Sequence, residues 1–514
     1  MSRYNLIDER WIPVRDLAGI RKELGIRDTL TNAENLVVIE DPSPLVTAAL
    51  HRFLLAVLYR ALQGPCDIDE AKKLFREGLP KEKIRHYLEK WRGRFWLFDE
   101  KFPFGQIPDF EPKTWRMWTA LAAEHNADNA KVLFDHIDVN ASGTIPFATA
   151  IRWLFASQTY AVSAGKSELS HTGTAPSAGA LMVIPIGKTL VDTLLFCLVP
   201  QNSNVLKNDL PFWEREPESL ERLKSGFERP AAGIVDLYTW QSRSIRLKVN
   251  NPEGISELAF ASGVGYEDSG ITDPLLAYAI VDVKDKTSGE KVRKKVTVHL
   301  KERGVWRDFD SLLPDDTQLA PKVIDNSIAL TKGNTDRFPD TIMVLGQKYK
   351  PPRPNILFWR MERFAFPRAI AGNRYIRGDI HSYLEEAEDA SKSLYSACAN
   401  YAQSLLSRGD RKPEKEDIGN FVEQLPSLPH YWSTLEAEFH EVLRGYTLDK
   451  NPDDIHHDWL VAVRNALSDA WKLHQRSIAG SDAWGIRALV KAESIIGKKI
   501  AGLNTNIQSL KEVP

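Results

Sequence analysis

The segment 138–149 carries oxygen-bearing side chains at a spacing that could bind calcium. Residues 138–145 match the first eight positions of a calcium-binding EF-hand loop. The twelfth position of such a loop must supply a bidentate Glu, but this chain has Thr149 there and Pro146 at the ninth position. An incomplete loop with few carboxylates would bind calcium poorly, so we interpret the segment as an exposed turn.

Residues 164–167, Ala-Gly-Lys-Ser, resemble the end of a phosphate-binding P-loop. The leading Gly of that motif would fall at position 160, where the chain has Tyr160, and no clear helix start follows Ser167. A P-loop needs backbone N–H groups that converge from a glycine-opened turn into a helix N-terminus. ATP hydrolysis is therefore not expected, although a small-residue loop with one lysine could contact a nucleic-acid backbone.

The remaining catalytic and metal-binding patterns also fail. His456 and His457 are adjacent, so on a helix they point about 100° apart and cannot share a metal ion. Cysteine occurs only at positions 66, 197 and 398, which excludes the spacing of a zinc site or a disulfide framework. The sequence also lacks a nucleophile elbow and a run of acidic ligands. The residues by themselves therefore show no evident catalytic, metal or cofactor site.

Three segments have a composition that suits nucleic-acid binding. They are the small-residue loop 163–179, the irregular segment 346–355 and a basic hairpin near 284–295. Basic and small residues on such loops suit contacts with a sugar-phosphate backbone or insertion into a groove. Any one of them taken alone is more often an ordinary surface loop. The residues favour a soluble binding module only weakly over an enzyme.

Composition describes an ordinary soluble chain that must divide into domains. The 514 residues exceed one compact core, so two or three domains are expected. A net charge of −2, from 67 basic and 69 acidic side chains, argues against a histone-like positive coat. The start has no apolar signal core and no segment reaches membrane-spanning length, so we expect a cytoplasmic protein.

The elements that must position these loops follow from hydrophobic spacing. Residues 45–62 keep helical periodicity over about five turns, and two shorter amphipathic helices are predicted near 67–77 and 80–93. The runs 275–281 and 295–300 flank a turn at 286–290, which predicts a hairpin. Three prolines within 351–354 predict an exposed, basic loop rather than a helix or a central strand.

The last part of the chain is predicted to be all helical. Amphipathic segments span roughly 379–407, 414–446, 453–478 and 480–510, and short connections between long helices favour an antiparallel four-helix bundle. The predicted fold class is α+β, with a mixed domain at 1–375 and the bundle at 376–514.

The chain opens with Asn-Leu-Ile-Asp-Glu-Arg-Trp-Ile-Pro-Val at residues 5–14. This stretch resembles the opening signature of the CasA family, the large subunits of the type I-E CRISPR Cascade surveillance complex. Three further segments resemble the family in the same order: Phe-Pro-Phe-Gly-Gln at 102–106, Pro-Phe-Ala-Thr-Ala at 146–150 and Ile-Met-Val-Leu-Gly at 342–346. Since the similarity spans the whole chain in order, it is more specific than any single motif.

The resemblance implies a non-catalytic subunit that recognises the protospacer-adjacent motif (PAM) in double-stranded DNA. Such a subunit reads the PAM from the minor-groove side and helps destabilise the duplex for pairing with the crRNA. It also provides a docking surface for the helicase-nuclease. The implied partners are the crRNA, the other Cascade subunits, double-stranded target DNA and the CRISPR helicase-nuclease, with no membrane.

The resemblance also implies site residues. Those for the PAM and the wedge that replaces a base pair are Ser163, Ala164, Gly165, Lys166, Lys350, Arg353, Pro354 and Asn355. Those for the crRNA handle or a neighbouring subunit, in the loop after a predicted helix at 115–130, are Phe134, Asp135 and His136. In the bundle, Arg487, Lys491 and Lys498 are spaced four and seven apart, share one helix face and are implied to contact bound DNA.

The chain departs from the family pattern in three places. The best-known wedge carries Asn-Gln-Ala, whereas Arg353-Pro354-Asn355 stands here, which puts the wedge position and the PAM preference in doubt. A lysine finger of the family has no clean counterpart around 258–270, with Lys284 or Lys286 as replacements. The cysteine-rich zinc cluster of some relatives is excluded by three scattered cysteines. Two alternatives stay open: a cryptic metal-dependent nuclease and a purely structural scaffold subunit.

Overall fold

The computed structural model describes residues 4–122, 143–162, 169, 173–251, 254–268, 270–284, 291–313, 319–333, 335–350, 355–373, 375–407, 412–477 and 482–511. The chain forms two compact units. The first comprises Met1–Glu302 and Pro314–Arg363, and the second comprises Arg303–Leu313 and Phe364–Pro514. The second unit therefore takes one short segment from the middle of the chain.

The first unit mixes short strands with helices. Its strands are β1 (Ile12–Asp16), β2 (Arg21–Leu24), β3 (Leu36–Ile39), β4 (Arg116–Met117), β5 (Ile145–Pro146), β6 (Met182–Ile186), β7 (Glu228–Pro230), β8 (Arg243–Asn251), β9 (Gly254–Ser262), β10 (Gly265–Glu267), β11 (Tyr278–Lys284), β12 (Lys291–Thr297), β13 (Thr341–Lys350) and β14 (Asn355–Ala365), the last of which ends past the unit's boundary. Its helices are α1 (Ile26–Thr31), α2 (Pro44–Leu62), α3 (Ile68–Glu77), α4 (Lys81–Lys90), α5 (Phe147–Tyr160), α6 (Leu190–Cys197), α7 (Ser203–Asn208), α8 (Leu220–Lys224), α9 (Ile234–Tyr238) and α10 (Lys322–Thr331).

Helix α2 forms the centre of the first unit. Ser43 caps it by accepting a hydrogen bond from the Val46 N–H, and Pro44 occupies the first turn, where its missing N–H costs nothing. Its length and hydropathy would allow it to cross a bilayer, contrary to the expectation that no segment reaches that length. Nearly all of its residues are buried inside the protein, as in the core helix of a soluble domain.

The opening signature of the sequence is a core-building motif. Asn5 accepts from the Ile7 N–H at 3.1 Å and donates to the Arg92 carbonyl at 3.2 Å. The fully buried Trp11 donates its indole N–H to the Leu6 carbonyl at 2.8 Å and stacks on Phe155. Buried polar groups must find partners, which explains why Asn and Trp stand at these positions.

The segment 102–106 is a second structural motif. Phe104 is buried among aromatic rings, and Gly105 has a φ of +67°, where a Cβ would also meet Leu154 at 2.9 Å. Buried Gln106 donates to the Leu97 carbonyl at 2.7 Å and accepts from the Leu247 N–H at 2.8 Å. The motif therefore ties a loop to β8.

Among the residues that the structure describes, the strands of the first unit form five sheets. Their strand orders are β2-β1-β3, β10-β7, β11-β12, β14-β13-β6 and β4-β9-β5, with β8 also paired to β9. Strands β13 and β6 are antiparallel, with Thr341 opposite Ile186 and Leu345 opposite Met182. Strands β11 and β12 form the predicted hairpin, with Tyr278 opposite Thr297 and Lys284 opposite Lys291.

The loop predicted at 346–355 was too long. Residues 346–350 belong to β13 and Asn355 starts β14, so only 351–354 connect the strands. Proline has no N–H to donate to a strand ladder, but the prolines in the sequence after position 350 do not prevent the preceding residues from continuing the strand. The predicted helix at 115–130 was also wrong in its described part, since 116–117 are β4 and 118–121 form a 3-10 turn.

The second unit contains the predicted helical bundle. Its helices are α11 (Ala369–Gly372), α12 (Tyr375–Leu406), α13 (Lys415–Glu423), α14 (Ser427–Thr447), α15 (Pro452–Ser477) and α16 (Ala483–Lys511). The predicted helix 414–446 is interrupted before Ser427, because Pro426 lacks an N–H and disfavours helical geometry at Leu425. The four long helices α12, α14, α15 and α16 pack together, with α13 beside α12.

Buried aromatic side chains hold the segment Arg303–Leu313 in this unit. Trp306 is buried and lies 5.3 Å from the ring of Phe439, and Phe309 lies 5.3 Å from Phe364. Glu388 on α12 accepts from Arg303 at 3.0 Å and from Arg307 at 2.6 Å. Apolar packing and paired charge together explain why this piece of chain belongs with the helices.

Candidate nucleic-acid interface

Arg243, the first residue of β8, holds both ends of residues 163–172, the part of the small-residue loop that contains Lys166. Its guanidinium donates to the Val162 carbonyl at 2.7 Å and to the Gly173 carbonyl at 2.8 Å. These two residues flank 163–172, and a further bond joins Arg243 to its neighbour's carbonyl at Ser242. Arginine suits this position because its planar fork can reach two separate acceptors at once.

Burial makes this clamp a strong structural element. Arg243 is 3 % exposed, and desolvation lowers its pKa to about 10, so the group remains charged at neutral pH. Hydrogen bonds from a charged donor are stronger than neutral ones, particularly where water is excluded. The ends of the loop are therefore held at a defined separation.

Gln158 near the end of α5 fixes the position of Arg243. Its side-chain amide accepts from the Arg243 N–H at 2.8 Å and donates to the Arg243 carbonyl at 2.9 Å. Ser242 donates to the Gln158 carbonyl at 2.7 Å. The loop therefore leaves from a point where α5 and β8 are locked together.

The second loop shares this base. Buried Gln347 on β13 donates its side-chain amide to the carbonyl of Tyr160, the last residue of α5. Val162, Ala175 and Ala178 form a small apolar cluster, and Tyr349 and Ile356 pack against it. Val162 and Ala175 lie on either side of 163–172, and Tyr349 and Ile356 lie on either side of 351–354. The chain on both sides of these two segments therefore converges on one cluster.

Gly179 allows the strand end to approach this cluster. A Cβ at Gly179 would lie 2.6 Å from Nδ1 of His299 and 3.0 Å from a ring carbon of Tyr349. Burial lowers the pKa of His299, a hydrogen bond to the Gly179 backbone opposes this, and positive Lys348 lowers it further. A neutral imidazole packed beside Tyr349 is therefore the expected state at neutral pH.

The predicted site residues are only partly within the described structure. Lys350 is exposed at the end of β13, and Asn355 is the first residue of β14. Outside the described residues lie Phe134, Asp135, His136, Ser163, Ala164, Gly165, Lys166, Arg353 and Pro354. Sequence reasoning missed Arg243 and Tyr349, because a buried arginine at a strand start has the same local pattern as an exposed one.

Comparison with known proteins identifies the family. The family model described as CRISPR-associated protein Cse1 matches residues 5–470. The chain belongs to this family.

Individual relatives agree with this assignment over nearly the full length. A curated CRISPR-associated protein CasA/Cse1 from Thermus thermophilus is 30 % identical over 521 residues, covering 99 % of each chain. The structure of Thermus thermophilus CasA (Cse1) has a TM-score of 0.82 at 27 % identity, covering 98 % of this chain and 100 % of that one. A chain of a CRISPR RNA-guided surveillance complex, 19 % identical, has a TM-score of 0.71 and shows the same fold over 96 % of this chain and 99 % of that one.

The implied bundle residues stand on an accessible helix face. Arg487, Lys491 and Lys498 are all exposed on α16, and none of them forms an ion pair with a described residue. By contrast, neighbouring Lys499 pairs with Asp389 of α12. The match to the Cse1 family model ends at residue 470, before this helix begins, whereas the curated Thermus thermophilus relative aligns with 99 % of the chain.

Ionisable residues elsewhere in the described structure pair with one another. In the buried interior, Arg52 pairs with Asp273, and the Tyr238 hydroxyl donates to the same carboxylate at 3.0 Å. His456 lies 2.8 Å from Glu386, while adjacent His457 faces Asp458, so the two histidines point to different partners as expected. Across the ranges described above, no three His, Cys, Asp or Glu side chains are placed to hold a metal ion.

Proposed function

We propose that this chain is the non-catalytic large subunit of a CRISPR RNA-guided surveillance complex, in which it recognises the PAM in double-stranded DNA. One observation carries the proposal: the described residues on both sides of 163–172 and of 351–354 converge on one base, built by Arg243, Gln347 and the cluster around Tyr349. Membership of the Cse1 family, and the shared fold with a chain of such a complex, support it.

The composition of the two loops suits two different tasks at one place. Ser163, Ala164 and Gly165 lack bulk, so a backbone can come close to base edges, and Lys166 adds one cation for a phosphate. Minor-groove readout distinguishes mainly A·T from G·C, which suits a reader that tolerates several PAMs. The small-residue loop is therefore assigned to the PAM itself.

The proline-rich loop is assigned to opening the duplex. Arg353, Pro354 and Asn355, with Lys350 on the preceding strand, would form a stiff basic wedge next to the PAM. Unstacking a base step costs a few kcal/mol, which new contacts and later pairing with the guide offset. A wedge anchored beside the reader would act on the base pair adjacent to the one being read.

The shared base would favour DNA binding by holding the ends of both loops in place before DNA binds. A loop whose ends are fixed before binding loses less conformational entropy when it meets DNA. Arg243 fixes the ends of 163–172, and the packing of Tyr349 and Ile356 fixes those of 351–354. Recognition and opening would then depend on residues that never touch DNA.

The remaining surfaces are assigned to the other partners. Phe134, Asp135 and His136 would contact the crRNA handle or a neighbouring subunit, and the exposed row of Arg487, Lys491 and Lys498 would contact bound DNA. The helicase-nuclease would dock on this subunit and supply the cleavage chemistry. A purely structural scaffold subunit would instead leave DNA binding unchanged when the loop residues are replaced.

Paired substitutions in the reconstituted crRNA complex test the proposal. Lys166→Ala with Arg353→Ala should weaken binding to a PAM-bearing duplex by roughly thirtyfold, since two lost contacts of about 1 kcal/mol each sum to about 2 kcal/mol. The matched control is Lys73→Ala with Arg76→Ala, which removes the same two residue types from the exposed face of α3. Equal effects of both pairs would contradict the assignment.

A further inference from the structure

Strand β14 lies at the outer end of the sheet β14-β13-β6. It runs for 11 residues, Asn355–Ala365, and β13 is its one strand partner among the residues that the structure describes. Such an end strand presents a row of backbone N–H and C=O groups along its outer edge. Since most strands have only about five or six residues, this edge is long enough to pair with a whole second strand.

The side chains of β14 alternate between two faces. Ile356 stands on one face and packs against the apolar cluster at the loop base. Leu357 and Met361 stand on the other face, where they are 46 % and 38 % exposed. A long edge strand that exposes apolar side chains favours association with another strand. β14 therefore has both features of a pairing surface, an outer edge and apolar side chains next to it.

The charged side chains of β14 indicate which partner fits this edge. Arg360 and Glu362 are two positions apart on the same face, and their side chains lie 3.2 Å apart within the strand. On the other face, Arg363 comes four positions after Trp359. The strand therefore contains both members of each charged pair that an antiparallel copy of itself would need. A second copy of this chain is the partner with matching charge.

One register of this pairing matches all the charges. Two antiparallel strands related by a twofold axis perpendicular to the sheet keep side chains of the same face together. With the axis at Met361, Arg360 of each copy lies opposite Glu362 of the other. Trp359 of each copy then lies opposite Arg363, which suits a cation over an indole ring. An axis one residue away would place Arg360 opposite itself or Glu362 opposite itself, and like charges directly opposite each other are unfavourable.

We propose that two copies of the free chain associate by antiparallel pairing of β14 with β14, centred on Met361. The pairing joins two three-stranded sheets into one, in the order β6-β13-β14-β14-β13-β6. Residues 357–365 of each copy take part, over a length of about 30 Å. A single strand pair buries less area than a typical stable interface, so the dimer is weak and reversible and forms at concentrations of about 100 µM. The association does not depend on the assignment of the loops to the PAM.

Disulfide formation across the twofold axis tests the register. Met361→Cys places two thiols directly opposite each other, with Cα atoms about 4.5–5.5 Å apart, which is within the range of a disulfide. Leu357→Cys is the matched control, because it replaces an exposed apolar residue on the same face. Its two copies lie about 27 Å apart in this register, since eight residue steps of about 3.4 Å separate them. The wild-type chain, with its cysteines at 66, 197 and 398, gives the background of cross-linking under the same mild oxidant.

Charge replacement tests the same register without cross-linking. In Arg360→Glu the new carboxylate faces Glu362 of the other copy, and in Glu362→Arg the new guanidinium faces Arg360, so each variant has two like-charge pairs. Each should weaken the dimer at least about tenfold in sedimentation velocity. The double replacement restores opposite charges and should restore the dimer. An equimolar mixture of the two single variants should also associate, because every opposed pair then joins a cation and an anion.

The expected result is a cross-linked dimer from Met361→Cys, with Leu357→Cys no higher than the wild-type background. Equal cross-linking of the two cysteine variants would overturn the proposal, and so would a wild-type chain that stays monomeric at about 200 µM. Dimers that persist unchanged in both single charge variants would assign the association to another surface. Melting temperatures show whether each variant is folded, and the cysteine pair decides if a charge variant is not. Nucleic acid is absent throughout, so failure here is distinguishable from failure of the proposed function.

Discussion

Replacing Arg243 with Met should destabilise the protein and loosen the two ends of residues 163–172. Methionine has nearly the same length but no donor, so the carbonyls of Val162 and Gly173 lose their partner. A hydrogen bond from a charged donor contributes about 1.5–3 kcal/mol, but the buried charge itself costs desolvation energy. With two such bonds tying the loop, the net loss should be about 2–4 kcal/mol in the free energy of unfolding.

Two measurements separate local loosening from a general loss of stability. Denaturant unfolding gives the change in the free energy of unfolding. Hydrogen exchange reports on the Ala175 N–H, which donates to the Ala161 carbonyl at 2.8 Å at the loop base. Exchange at Ala175 should accelerate at least about tenfold, since about 1.4 kcal/mol of local stability corresponds to that factor.

Arg246→Met is the matched control, because Arg246 lies on the same strand but pairs with Glu111 at the surface. Exposed ion pairs contribute about 0–1 kcal/mol. Arg243→Lys should fall between the two, since an ammonium keeps the charge but cannot bridge both carbonyls with a planar fork. If Arg243→Met costs no more than Arg246→Met and Ala175 exchanges as in the wild type, the clamp reasoning is refuted.

Two further substitutions test the interior. Burial lowers the pKa of His51 in α2 to about 4 from an ordinary value of 6.5, so the stability associated with its neutral form is present above pH 6.5 and is lost as the pH falls towards 4. The loss in the free energy of unfolding should be about 3 kcal/mol between pH 6.5 and pH 4. His51→Gln should reduce this pH dependence, which is measured by urea unfolding at a series of pH values. The same pH dependence in the variant and the wild type would contradict the assignment of this loss to His51. Gly179→Ala should cost about 1–3 kcal/mol, because its Cβ would collide with His299 and Tyr349. Gly378 is an exposed residue of α12, and an added Cβ there would meet no atom within 4 Å. Gly378→Ala should therefore stabilise the protein by about 0.5–1 kcal/mol in thermal unfolding. Stability changes of the same sign for the two glycine substitutions would refute the packing argument.

Local periodicity was enough to predict the elements whose stability is itself local. The repeat of apolar residues at 45–62 predicts α2 to within a residue, and the same reasoning finds the hairpin and the four long helices. The exact positions at which prolines end helices and strands were harder to predict. Pro426 breaks a predicted helix, whereas β13 runs on to Lys350 and β14 starts at Asn355, closer to the prolines in the sequence than predicted.

Long-range contacts were beyond sequence reasoning. Arg243 lies 81 residues from Val162, and Gln347 lies 187 residues from Tyr160, so no local pattern indicates that they meet. Composition singled out the two loops, the resemblance to the CasA family implied their roles, and family membership is confirmed. Their shared base, by contrast, emerges only from side chains that the sequence pattern leaves undistinguished from ordinary strand residues.

PAM-dependent binding by the assembled complex is the most direct test of the proposed function. The crRNA complex is reconstituted with and without this chain, and its affinity is measured at fixed, near-physiological salt for two duplexes that differ only at the PAM. We expect the complex to prefer the PAM-bearing duplex only when this chain is present. Equal affinity for both duplexes, with and without the chain, would contradict it.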